Sequence, residues 1–348
     1  MSTTVTRRPF GAAPDGTPVE RWTIESPGGP GASEIAVLTY GGILHACRVP
    51  DRDGVLGDVV LALPSVDAYA ADEAYLGALV GRYANRIAHA RFSLDGTEFR
   101  LPANEGTTTL HGGPDGFHRR VWAAAGFDDA DRAGVVLRLR SPDGDMGFPG
   151  DLDVEVTYSL DRNGVLGIAY RATTDRPTVV NLTQHAYWNL AAGGPVDGHE
   201  LAVDADAYLP VDAAAIPLGA PAPTAGTPFA LGGKLVDALR DTHPGIAAAR
   251  GVDHCFVLRG GRTTRPRPVA RLADPGSGRV METWTTEPGI QVYTANHLGP
   301  PHGPHTAVCL ETQHFPDAPN RPEYPSTVLR PGEVFRSATE YRFGTAAR

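Results

Sequence analysis

The chain has 348 residues, 41% of them hydrophobic and 20% charged, a balance that excludes intrinsic disorder and supports a sizeable core. Its formal net charge of -9 disfavours nucleic acid and anionic membrane surfaces, whose binding needs clustered Lys and Arg, so the expected partner is a small uncharged molecule. No window approaches the ~18 consecutive apolar residues of a membrane span.

The opening MSTTVTRRPFGAAPDG lacks the apolar run of a secretion signal, and Cys47, Cys255 and Cys309 are odd in number and far apart. Reduced thiols and a cytoplasmic location are therefore expected. The 41 glycines and 31 prolines follow no period, so they imply many turns and hence many strands. In chain order, a short helix is expected around 65–72 and a strand over 135–140. Leu152, Val154, Val156, Tyr158 and Leu160 then alternate with polar residues, and Asn163-Gly164 suits a tight turn before Leu166, Ile168, Tyr170 and Ala172. Residues 151–174 thus predict a hairpin. Further strand patterns run over 201–209, 279–286, 289–296, 307–314 and 333–343, with a second short helix around 233–240. Helices are too sparse for a βαβ scheme, and no internal repeat or linker interrupts residues 1–348. The expected fold is all-β: a large antiparallel β-sandwich in one domain with few short helices.

The polar residues inside these segments carry the chemistry. Gly81-Arg82-Tyr83-Ala84-Asn85-Arg86-Ile87 offers two guanidiniums and an amide, which serve either recognition or ion pairs with acidic neighbours. Leu110-His111-Gly112-Gly113 sets a histidine beside a permissive glycine pair. In Asn181 to Leu190, an extended backbone places His185 and Tyr187 on one face. Asp253 opens another strand. Gln291 and Tyr293 share a face against Ile290 and Val292, and Cys309, Glu311 and Gln313 share one against Val308 and Leu310. A glutamate in so apolar a strand is either paired with a cation or held at a tuned pKa. Strands that repeatedly present His, Glu, Gln and Tyr from one face suggest a concave polar surface, and sugars suit it: hydroxyls need fixed donors and acceptors, while Trp188, Tyr187 and Tyr293 could cover C–H faces.

Together and in this order the segments resemble the aldose 1-epimerase (galactose mutarotase) family. The resemblance spans TYGGILHACRVPDRDGVLGDVVL at 39–61, YLGALVGRYANRI at 75–87, LHGGPDGF at 110–117, SPDGDMGFPGDLDVEVTY at 141–158 and LETQHFPDAPNRPEYPSTVLRPGE at 310–333. It implies a galactose mutarotase-like supersandwich that interconverts the α and β anomers of a free aldohexose, with no metal or organic cofactor. It further implies Glu311 as general base, His185 as general acid and His111 near the ring oxygen. Asn85, Arg86, Tyr187, Asp253 and Gln291 would hold the sugar. Gln184, Trp188 and the Ala230 of TPFAL depart from the family pattern and bear on which aldose is accepted.

Four other readings compete. His302-Gly303-Pro304-His305 could signal a metal hydrolase, although no HExxH helix is present. Glu311 and Asp253 could be the carboxylates of a glycoside hydrolase. A sugar-binding module would not need both Glu311 and His185. A specialised hexose 6-phosphate enzyme would want a basic cluster that this acidic chain lacks. Oligomeric state stays open.

Overall fold

The computed structural model describes residues 3–26, 31–129 and 131–346. Met1 and Ser2 of the opening segment lie outside it.

Three antiparallel sheets dominate. The largest has nine strands in the order Ala123–Asp128, Arg132–Ser141, Leu152–Asp161, Leu166–Thr174, Phe335–Thr345, Arg279–Thr285, Arg267–Ala273, Glu200–Val203 and Gly232–Lys234. The predicted hairpin is at its heart, with Val156 opposite Tyr170 and Leu160 opposite Leu166. Gly164 takes φ 74° in the turn, and the Asp161 carboxylate accepts from the backbone N–H groups of Asn163 and Val165.

The second sheet has six strands: Tyr187–Trp188, Val308–Gln313, Gly289–Tyr293, Asp253–Leu258, Ala205–Tyr208 and Ala222–Pro223. Period-two alternation splits it into two faces. Ile290, Val292, Val308 and Leu310 are at most 1% exposed and share one hydrophobic cluster with Tyr158, Met281 and Tyr341 of the nine-stranded sheet. Each such side chain contributes about 1.5–3 kcal/mol by leaving water. Thr312 Oγ1 meets Thr339 Oγ1 at 2.6 Å across the same seam. The five N-terminal strands, Thr4–Ala12 through Leu56–Asp58, form a third sheet whose Ile24, Ile35, Val37 and Val49 join that cluster. The inner face thus holds the fold together, and the outer face is left for polar side chains.

Two expectations are refined. The run 201–209 is two strands in different sheets, because the chain crosses between layers at Asp204, with a bulge between Ala205 and Ala207. The run 289–296 leaves its ladder after Tyr293, where Thr294 Oγ1 accepts the N–H of Val252 and Ala295 turns to φ 53°. Both expected helices form, over Val66–Ala70 and Leu235–Leu239. A third, Pro244–Ala249, was not anticipated; the His243 ring caps it by accepting the N–H of Gly245. Among the described residues no helix is long and apolar enough to cross a membrane.

Candidate active site

Strand register assembles the site. Glu311 is directly opposite Gln291, and Gln291 opposite Cys255; in the next row Tyr187, Cys309, Tyr293 and Asp253 stand abreast. Residues opposed across antiparallel strands share a face, so these groups project together from the outer face. His185 lies two residues before Tyr187, clamped because its N–H donates to Ala78 O and its own carbonyl accepts from Gly77 N. The result is a contact of 3.6 Å between His185 Nε2 and Glu311 Oε1, both residues almost fully buried.

The second wall comes from the loops. Arg86–Ile87 pairs with Thr109–Leu110, which brings Asn85 against His111. The N–H of His111 donates to Asn85 O at 3.0 Å, and the N–H of Asn85 donates to His111 Nδ1 at 3.1 Å. An Nδ1 that accepts a hydrogen bond carries no proton, so the neutral ring keeps its hydrogen on Nε2 as a donor. Gly112 permits this approach: at φ 84°, a Cβ there would lie 2.0 Å from Gly81 O. Arg86 grips Glu105 in two parallel bonds of 2.6 and 2.8 Å, which fixes its guanidinium plane.

Burial sets the protonation of this cluster. It pushes the Glu311 carboxyl well above the ordinary range, the charge of Asp253 pushes it further, and Arg86 opposes both. Burial also raises Asp253, against the pull of Arg86 and a 2.6 Å bond from Gln291 Nε2. It lowers His185 to about 4 and His111 well below the usual imidazole value. Glu311 and His185 therefore hold one exchangeable proton between them. The protonated acid beside a neutral imidazole, and the carboxylate beside an imidazolium, differ only in where that proton sits.

A cavity of about 690 Å³ opens over these residues, lined by Asn85, Arg86, His111, His185, Tyr187, Asp253 and Glu311. Gln291, also expected to face a ligand, is not part of that lining and supports Asp253 from behind. Tyr75 and Glu105 line the cavity without having been anticipated. Tyr75 packs edge-on against His111 at 4.6 Å, at a backbone φ of 57° that its sequence gave no reason to expect. The loop 297–302 closes the far side.

Other candidates fall elsewhere. Arg82 is 2% exposed and donates to the carbonyls of Ser141, Pro142, Pro149 and Gly150 rather than to a carboxylate. Trp188 faces the inner core against Tyr341 and cannot cover a sugar. Gln184 does not line the cavity and donates to Gly77 O, next to the lining residue Leu76, and Ala230 is exposed and away from the cavity. His302 and His305 do not converge: the first contacts Ala62 O and the second Thr294 O.

The side-chain ligand atoms of His111, His185 and Glu311 lie within 4.8 Å of one another, a donor set of the kind that can hold a metal ion. The tautomer of His111 argues against that use. A metal at Nε2 would force the proton onto Nδ1, where the N–H of Asn85 already points.

A buried carboxyl, two imidazoles and a clamped guanidinium, converging on a polar cleft of a β-sandwich, define an acid–base catalyst rather than a binding module. Residues 23–342 match the sequence model of the aldose 1-epimerase family. Rat galactose mutarotase is 40% identical, over 98% of this chain and 99% of that one. The aldose 1-epimerase of Escherichia coli K12 is 36% identical, over 95% and 97%. The crystal structure of galactose 1-epimerase from Lactobacillus acidophilus NCFM superposes with a TM-score of 0.89 at 28% identity, covering 99% of this chain and all of that one. The chain belongs to the aldose 1-epimerase family.

Proposed function

We propose that Glu311 and His185 are the base and acid with which this chain, an aldose 1-epimerase, interconverts the α and β anomers of a free aldohexose such as galactose or glucose. The observation that carries the assignment is their 3.6 Å contact at the buried floor of the cavity. Glu311 removes the proton of the anomeric hydroxyl while His185 gives one to the ring oxygen, and the C1–O5 bond breaks to leave an aldehyde. Rotation about C1–C2 presents the other carbonyl face. Closure then returns both protons, so the pair ends as it began.

His111, through its Nε2–H, donates toward the same ring oxygen as charge develops there. Asn85, Arg86, Asp253 and Tyr187 hold the sugar hydroxyls, with Gln291 supporting Asp253. Proton transfer at a hemiacetal needs no Lewis acid or organic cofactor when such a pair is in place. The three cysteines are all buried and unpaired, which supports a reducing cytoplasm. The hydrophobic cluster shared by all three sheets supports reading the chain as one domain.

The test is polarimetry of freshly dissolved α-galactose and α-glucose with the wild-type enzyme and with Glu311→Gln. Wild type should speed the drift to the equilibrium rotation, and Glu311→Gln should lose most of that effect. Release of a new reducing end from a glycoside would favour a hydrolase instead.

A further inference from the structure

Four buried polar atoms near the foot of Glu311 find no protein partner among the described residues: Glu311 Oε2, Gln291 Oε1 and both amide atoms of Gln313. Gln313 is 0% exposed and does not line the cavity. Register explains why the atoms gather. Gln291 is opposite Glu311, so their Cβ atoms are about 5 Å apart, and Gln313 follows on the same face about 7 Å along the strand. Gln313's own cross-strand partner is Gly289, which has no side chain to offer it. A primary amide sealed from solvent with none of its hydrogen bonds made is strongly unfavourable, and the usual remedy at such spacings is an internal water.

We propose that Gln313 is a positioning residue that, with Gln291, holds a buried water against the inner oxygen of Glu311. The water accepts from Gln313 Nε2 and donates to Gln291 Oε1 and Glu311 Oε2. This leaves Glu311 Oε1 free for His185 and the sugar, and fixes the carboxylate plane. The inference rests on Glu311 being the base. It supplies what that assignment lacks, a donor for the ionised form on the side away from the cavity.

The other groups acting on Glu311 are Asp253, which raises its pKa, Arg86, which lowers it, and His185 at its outer oxygen. His111 completes the cluster. The nearby Cys255 and Cys309 thiols and the Tyr187, Tyr293 and Tyr341 phenols all titrate above their ordinary values and stay neutral. Losing the water's hydrogen bond would therefore move Glu311 upward.

The experiment has two arms. A crystal structure that resolves ordered solvent should show a water within hydrogen-bond distance of both Gln313 Nε2 and Glu311 Oε2. In Gln313→Met, polarimetric kcat should fall about tenfold at neutral pH, the alkaline limb should move up by about one pH unit, and KM for galactose should hold. Gln313→Asn, which keeps the amide, should restore much of the loss. A purely packing role would lower thermal stability and leave the limbs where they were, which would overturn the proposal. So would a dry Glu311 Oε2 in the wild-type crystal, which decides the matter if Gln313→Met does not fold. Wild-type turnover in Glu311→Gln would instead overturn the assignment of the base.

Discussion

Glu311 and His185 lie 3.6 Å apart on the floor of the cavity, whereas Glu287 and His314, sealed beneath the other end of the same strand, touch at 2.6 Å. Both pairs are buried, yet their carboxyls are driven in opposite directions. Burial raises Glu287 too, but His314 at 2.6 Å, aided by Ser337 and Arg262, outweighs it and holds the carboxyl below its ordinary value. At Glu311 burial wins, because Asp253 adds a like charge and the imidazole stands too far back for a full hydrogen bond. Identical residue types thus leave a carboxyl held below its ordinary range in one place and pushed above it in the other. Distance and the neighbouring charge decide which.

Removing the carboxylate charge from each pair separates the two roles. Glu311→Gln should lower kcat by roughly 10²–10⁴ with sugar binding retained, measured by polarimetry at saturating galactose. It should not lower the melting temperature at neutral pH. A carboxyl whose folded pKa lies above its unfolded value binds the extra proton in the folded state, so stability falls as pH rises between the two, and glutamine removes that penalty.

Glu287→Gln should do the reverse. Breaking a buried pair costs about 3–5 kcal/mol, so denaturant unfolding should show a stability loss of that order while kcat per folded molecule is unchanged. Because Glu287 is depressed in the folded state, its contribution is present above the ordinary carboxylate pKa and lost as pH falls through the depressed value. The stability gap between variant and wild type should therefore narrow in acid.

The pH profile sharpens the contrast further. The working pair must hold one proton in total. Below the His185 value of about 4 it gains a second and Glu311 can no longer accept. Above the raised Glu311 value it has lost its last proton and His185 cannot donate. A kcat profile flat through neutrality with those two limbs is expected, and a single limb near the ordinary imidazole value would count against it. The smallest effect belongs to Arg86→Lys, which keeps the charge but gives up the two-point grip on Glu105. KM should rise about fivefold with kcat little changed, the scale of one ordinary hydrogen bond.

Much of this was legible from residue order. The alternation at 152–160 and the Asn163-Gly164 turn named the central hairpin, because a half-buried strand leaves a period-two trace. The motifs at 85–86, 111, 185, 253 and 311 named groups that meet in one cavity. Tyr75 and Glu105 escaped notice because their roles depend on a backbone turn and on the reach of Arg86 from another segment. Trp188 was offered to the sugar although it points inward: alternation tells that neighbours face opposite ways, not which way is in. The crossing at Asp204 was invisible for a related reason, since strands of either sheet carry the same alternation.

Sequence alone determined the all-β class, the sets of side chains that share a strand face, and the chemical groups available for proton transfer, because these follow from local periodicity and residue type. Only the tertiary structure decided which distant strands lie side by side. That pairing is set by burial of the common core, and it placed Glu311 abreast of Gln291 and within reach of His185. It also decided protonation, since the pKa of a carboxyl or an imidazole answers to the water removed and the charges brought near, and neither exists until the chain has folded.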